Sequence, residues 1–113
     1  MHELSLVLSI VDLVEEKAAQ HNAREIESIN LEIGELAGID WSVLEFAWKS
    51  ATSDTMLENA ECIIDKVDGE AECLECGIKF HAGTLFAPCP ECGHFLTEIR
   101  DGRQFRVKSF SIP

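Results

Sequence analysis

Cys73-Leu74-Glu75-Cys76-Gly77 and Cys89-Pro90-Glu91-Cys92-Gly93 repeat one short pattern, and the spacing inside each copy decides what this part of the chain folds around. Two residues between paired cysteines let both thiolates converge on one ion, and the following glycine admits the tight turn in which backbone amides point at sulfur. Two such knuckles on a pair of short strands complete a tetrahedral shell. Cys73, Cys76, Cys89 and Cys92 are therefore expected to hold one structural Zn(II). A closed four-thiolate shell has no open position for water, so the site is structural and not catalytic. The metal replaces a core that so short a segment cannot build, and its binding energy becomes folding energy.

Outward from the knuckles the chain alternates. Residues 60 to 68 place Ala60, Cys62 and Ile64 on one face, and a further extended segment runs from 104 to 112. In the latter, Phe105 and Val107 are out of phase with Phe110 and Ile112, which predicts a bulge near Ser109. The fifth cysteine, Cys62, sits on the apolar phase and reads as a small core side chain. Residues 27 to 34 alternate as well, with Ile29, Leu31 and Ile33 on one face. Before them, Leu4, Val7, Leu8, Val11, Val14 and Ala18 recur at helical intervals among Asp12, Glu15, Glu16 and Lys17, and His21 and Asn22 mark the end. A second helix runs to about Ser50, started by Asp40 as N-cap or by Ser42 with Glu45 as a capping box. Its apolar face, Trp41, Leu44, Ala47, Trp48 and Ala51, reads as core. The expected fold is α+β, two helices packed on a small three-stranded sheet with an inserted zinc-ribbon domain of the rubredoxin-knuckle type. The domains are residues 1–69 with 100–113, and the ribbon 70–99.

The 113 residues suffice for one ordinary domain carrying a smaller, stapled one. No apolar run reaches the length needed to span a bilayer. His2 and Glu3 follow the first methionine and acidic residues interrupt the apolar pattern soon after, which is no secretory leader and places the chain in the cytoplasm. In that reducing compartment the clustered cysteines read as metal ligands and not as a disulfide framework. The net charge of −12 repels phosphate backbones and argues against nucleic acid as a partner. A basic protein surface or a cation suits it better.

The first three residues form a chelator. The Met1 amine, the main-chain nitrogens of His2 and Glu3, and the His2 imidazole lie within a few bonds of one another, and Nδ1 of His2 closes a six-membered ring with its own amide nitrogen. Nitrogen donors in one plane suit Cu(II) or Ni(II). His21 reads as a cation at a helix end; His81 and His94 read as solvated loop residues of the ribbon, His94 with the reach to serve as an extra ligand.

Met1-His2-Glu3-Leu4-Ser5-Leu6, then Ile33-Gly34-Glu35-Leu36, then the two cysteine knuckles, in this order and over the whole chain, resemble the HypA/HybF family. The resemblance implies a nickel metallochaperone that helps deliver Ni(II) to the large subunit of [NiFe]-hydrogenase, working with a HypB-like GTPase and in some organisms also serving urease maturation. It implies nickel ligation by the His2 imidazole and the main-chain nitrogens of His2 and Glu3, with the Met1 amine or a ribbon side chain such as His94 as fourth donor. It places the GTPase contact near the first helix, where Glu3, Asp12, Glu15 and Glu16 present negative charge. The rival readings are a rubredoxin-like electron carrier, with iron on the same four sulfurs, and a zinc-ribbon interaction module. No nucleophile with a base and no phosphate-cradling loop is recognisable, so the chain is not expected to be an enzyme.

Overall fold

The computed structural model describes residues 2–113, His2 by its backbone alone; the expectations for Met1 and for the His2 imidazole fall outside the described residues. In chain order the elements are α1 (His2–Gln20), β1 (Ser28–Gly34), α2 (Trp41–Thr52), β2 (Glu61–Val67), β3 (Glu70–Cys73), β4 (Lys79–His81), β5 (Thr97–Asp101) and β6 (Phe105–Ser111). They form two three-stranded sheets, ordered β2-β1-β6 and β4-β3-β5. The chain divides into two compact units, one of Met1–Leu31, Ile39–Ile64 and Arg106–Pro113, the other of Glu32–Gly38 and Asp65–Phe105.

In the first unit α1 packs against α2. The buried stripe of α1 is Val7, Ile10, Val11, Val14 and Ala18, whereas Leu8, which the helical spacing also admits, is exposed. Asn22 ends the helix in the left-handed conformation, φ 58°. Its N–H donates to the Ala19 carbonyl and that of Ala23 to Ala18, at 3.0 and 3.1 Å, so carbonyls the helix leaves without partners are satisfied. Ile29 and Leu31, and with them Ile33 of the second unit, are all buried on the central strand β1, as their alternation requires. Asp40, not Ser42, caps α2: its carboxylate accepts from the Ser42 and Val43 N–H groups, and Ser42 lies inside the helix. Leu44, Ala47 and Thr52 are the buried residues of α2. Trp41, expected in the core, is exposed, and Trp48 is half-buried. On β6 the burial changes phase at Lys108 and Ser109, where the apolar sequence changes phase.

The second unit is built on β3, which pairs antiparallel with β4 (Ala71 opposite Phe80) and with β5 (Cys73 opposite Thr97). A third strand thus joins the pair of short strands expected for the knuckles. One face buries Leu36, Ala71 and Ala82, with Phe80, Ala87 and Ile99 packed on them. Three glycines let main chains meet where no side chain fits. A Cβ on Gly34 would lie 2.0 Å from the Gly102 carbonyl oxygen, one on Gly69 would lie 2.0 Å from that of Ala82, and Gly102 itself has φ +100°. Among the described residues, no helix is long and apolar enough to cross a membrane.

Candidate metal centres

The four knuckle cysteines come together as their spacing predicts. Their sulfurs all lie within 4.8 Å of one another, with Cys73 and Cys89 buried and Cys76 and Cys92 exposed. The Cys73–Cys92 and Cys76–Cys89 sulfur pairs are each 3.6 Å apart. A tetrahedron with Zn–S bonds of about 2.3 Å has edges of about 3.8 Å, so the donor set fits a tetrahedral ion of that size. The turns that aim the thiols are closed by the Gly77 N–H donating to the Cys73 carbonyl, 2.8 Å, and the Gly93 N–H to that of Cys89, 2.9 Å. Both glycines take positive φ, 81° and 75°, which a side chain would oppose.

Four sulfurs this close cannot all ionise unaided. Donation from the Cys76 backbone N–H, reinforced by that of Glu75 and opposed by burial, holds the Cys73 thiol down at about 6. At Cys92 the His94 backbone N–H favours the thiolate, but burial and the three neighbouring sulfurs win and push the thiol up to about 12. Cys89 is lowered against burial by the N–H groups of Cys92 and Glu91, while Cys76, despite the Ile78 N–H, is raised by burial and by Cys89 and Cys73. The set thus alternates between favoured and disfavoured thiolates. A divalent cation in the centre removes the mutual repulsion and draws all four into the charged form.

His94 places Nδ1 3.2 Å from the Cys92 sulfur, so this candidate extra ligand is already engaged at the ribbon site. His81 is not a loop residue: it stands on β4 and its Nε2 lies 2.7 Å from Glu35 Oε1. That carboxylate also accepts the Gly69 N–H at 2.9 Å, the larger of the two causes that hold Glu35 below the usual carboxylate range. The run Ile33-Gly34-Glu35-Leu36 therefore acts residue by residue: a buried strand side chain, a main-chain contact, a carboxylate on Gly69 and His81, and a leucine in the ribbon core.

At the other candidate centre, α1 begins at His2, so His2 and Glu3 occupy its first turn. An α-helix leaves its first four N–H groups outside its own ladder, and a metal can take these nitrogens without breaking a helical bond. Glu3 Oε2 accepts the Asp40 N–H at 3.1 Å, tying this turn to the cap of α2. Residues 3 and 40 are far apart in sequence, and nothing in the residue pattern announces this bond. Equally unannounced is an apolar cavity of about 310 Å³ in the same unit, lined by Trp41, Leu44, Trp48, Cys62 and Ile64 among others. Burial pushes the Cys62 thiol up, as for a half-buried packing residue.

A two-helix α+β unit and a four-thiolate ribbon in one short chain define a small metal-binding protein of the zinc-ribbon-containing class. Residues 1–112 match the family described as hydrogenase/urease nickel incorporation, metallochaperone, HypA. The chain is 46% identical over 112 residues to the hydrogenase maturation factor HypA of Parabacteroides distasonis, covering 99% of this chain and 97% of that one. It is 37% identical to the factor of the same name from Chlorobaculum tepidum, covering 99% of each. The solution structure of the Ni metallochaperone HypA from Helicobacter pylori, 28% identical, superposes with a TM-score of 0.67 over 97% of this chain and 96% of that one. Another HypA solution structure, 29% identical, gives 0.71 over 100% and 97%. The chain belongs to the HypA family of nickel metallochaperones.

Proposed function

We propose that this chain binds Ni(II) at its N-terminus and helps deliver it to the large subunit of [NiFe]-hydrogenase during maturation, while Cys73, Cys76, Cys89 and Cys92 hold a structural Zn(II). The observation that carries the reading is the end-to-end family match joined to the sequence Met-His-Glu, whose His2 and Glu3 open α1. The nickel donors are the His2 imidazole, the main-chain nitrogens of His2 and Glu3, and the Met1 amine, with His94 the rival for the fourth place. Residues 1–69 with 100–113 form the nickel-handling part and 70–99 the zinc part. When bound, zinc supplies a fixed cross-link between the two knuckles.

Four nitrogens in a plane select Ni(II) over ions without a ligand-field preference, and opening one chelate ring at a chain end begins release. Protons compete for the imidazole, so affinity falls as pH drops through the histidine range. The chain is a carrier and not an enzyme; nucleotide hydrolysis belongs to a HypB-like GTPase, and urease maturation proteins are further recipients. The setting is cytoplasmic, and the charge of −12 keeps nucleic acid away.

Calorimetric titration of Ni(II) into untagged protein and into His2→Ala tests the reading. The wild type is expected to take up one ion per chain with the absorbance band of planar nitrogen ligation, and the variant to lose both. Equal uptake by the two proteins refutes nickel delivery from this site. A rubredoxin-like carrier would instead purify with iron and show thiolate-to-iron colour, which elemental analysis of the same sample decides.

A further inference from the structure

The ribbon sheet has two faces. Ala71, Cys73 and Ile99 turn inward with Leu36 and Ala82, so on the same strands Glu72 and Glu98 turn outward, and Arg100 binds both, at 3.0 and 3.1 Å. Just beyond, where β3 and β5 run into the knuckles, the Leu74 N–H donates to the Leu96 carbonyl at 2.9 Å, which sets these leucines side by side. Both are exposed, 48% and 56%, and Phe95 beside them is 73% exposed. The Thr97 hydroxyl bonds to the Ala87 carbonyl at 3.5 Å, bringing the chain next to Phe86, 84% exposed, alongside the same strand. Four large apolar side chains open to water on so short a segment cost solubility and add nothing to the inner core. Apolar surface of this kind marks an interaction site.

The rim says what kind of partner it meets. Residues 70–100 hold five glutamates, Glu70, Glu72, Glu75, Glu91 and Glu98, against Lys79 and Arg100. Since Arg100 already spans Glu72 and Glu98, the charge that a partner meets at the knuckles is that of Glu75 and Glu91. Glu75 and Glu91 lie inside the knuckles themselves, next to Leu74 and a few residues from Phe95, and four thiolates around a divalent ion leave that centre negative too. A second copy would bring an identical acidic rim against this one, on a chain whose net charge is already −12. We infer that this outward end of the ribbon is a docking surface for a basic amphipathic segment of another protein, its apolar side chains on Leu74, Phe95 and Leu96 and its lysines or arginines against Glu75 and Glu91. The inference holds whether or not the chain carries nickel.

The probe is a helical peptide of about 18 residues with leucines on one face and lysines elsewhere, titrated into the zinc-loaded, nitrogen-15-labelled full chain. The amides of residues 74, 75, 95 and 96 are expected to shift, and a matching leucine–glutamate peptide to leave the spectrum unchanged. Phe95→Ser with Leu96→Ser, checked for full zinc content, should weaken binding by about tenfold or more. Glu75→Gln with Glu91→Gln, which leaves the apolar surface and the fold alone, should weaken it less and flatten its salt dependence. Asp12→Gln with Glu16→Gln on α1 should change nothing. Shifts centred on α1, or indifference to both ribbon variants, overturn the inference. So does concentration-dependent self-association that the ribbon variants abolish, since the occupant would then be a second copy.

Discussion

Val7→Ala separates a nickel site made by three residues from one made by the fold. Val7 is fully buried one turn beyond the start of α1, and the change deletes two methyl groups from the interior. At about 0.8 kcal/mol per buried carbon, with a smaller increment for the space left behind, the loss is about 2 kcal/mol. Unfolding entropy of about 2.1 cal/mol/K per residue then converts it to a fall in Tm of about 8 °C for a chain of this size. Circular dichroism at the helix band follows it directly, because both helices lie in the unit that contains Val7. A chelate closed within Met1-His2-Glu3 needs no packing beneath it, so the Ni(II) affinity of Val7→Ala below its Tm should stay within about twofold of wild type. Calorimetry on untagged, zinc-loaded protein measures it. A tenfold weaker affinity alongside the expected loss of stability would show that α1 must be held in place for nickel to bind, and the local-chelate reasoning would fail.

Cys73→Ser is expected to abolish the one-per-chain zinc stoichiometry and to expose the Ala71 and Ala82 amides to exchange; tight retention of one ion with those amides protected would contradict a four-thiolate staple. Asp40→Asn probes the cap of α2. The Ser42 hydroxyl first, then the Val43 N–H, hold the Asp40 carboxyl below its ordinary 3.8. That stabilisation is therefore complete above the unfolded pKa and lost as pH falls through the lower folded one, so the acid limb of a denaturant-midpoint profile below about pH 4 should flatten in the variant. Gly69→Ala sets a methyl 2.0 Å from the Ala82 carbonyl oxygen and forces main chain to move, at a cost of about 2–3 kcal/mol; unchanged Leu36 and Ala82 methyl resonances would refute the close packing.

What could be read in advance follows from how local its cause is. The cysteine knuckles and the β1 alternation are legible because a spacing of two residues, or a period of two, fixes geometry without outside help. The start of α2 is legible for the same reason, as Asp40 or Ser42, and only the bonds from the Ser42 and Val43 N–H groups to the Asp40 carboxylate decide between them. On α1, Leu8 and Ile10 flank the Val7–Val11–Val14 line on either side, and only the elements packed against the helix decide that Ile10 is covered and Leu8 is not. Trp41 misleads because an aromatic at a helix start fits the apolar period equally well when it borders an open cavity. The Glu35–His81 and Glu3–Asp40 pairs join residues remote in sequence, and no local pattern encodes them. The third ribbon strand, β5, is hidden because Thr97–Asp101 mixes two acids and an arginine into one short edge.

The contacts of Gly34, Gly69 and Gly102 make one knot of bare backbone. In a saturation screen that scores zinc retention, these positions should rank with the thiolates among the least replaceable, although none offers an atom to an ion. Engineers who wish to graft the ribbon elsewhere must therefore transplant that crossing too, since the clamp alone would arrive without the main-chain contacts that complete its own unit.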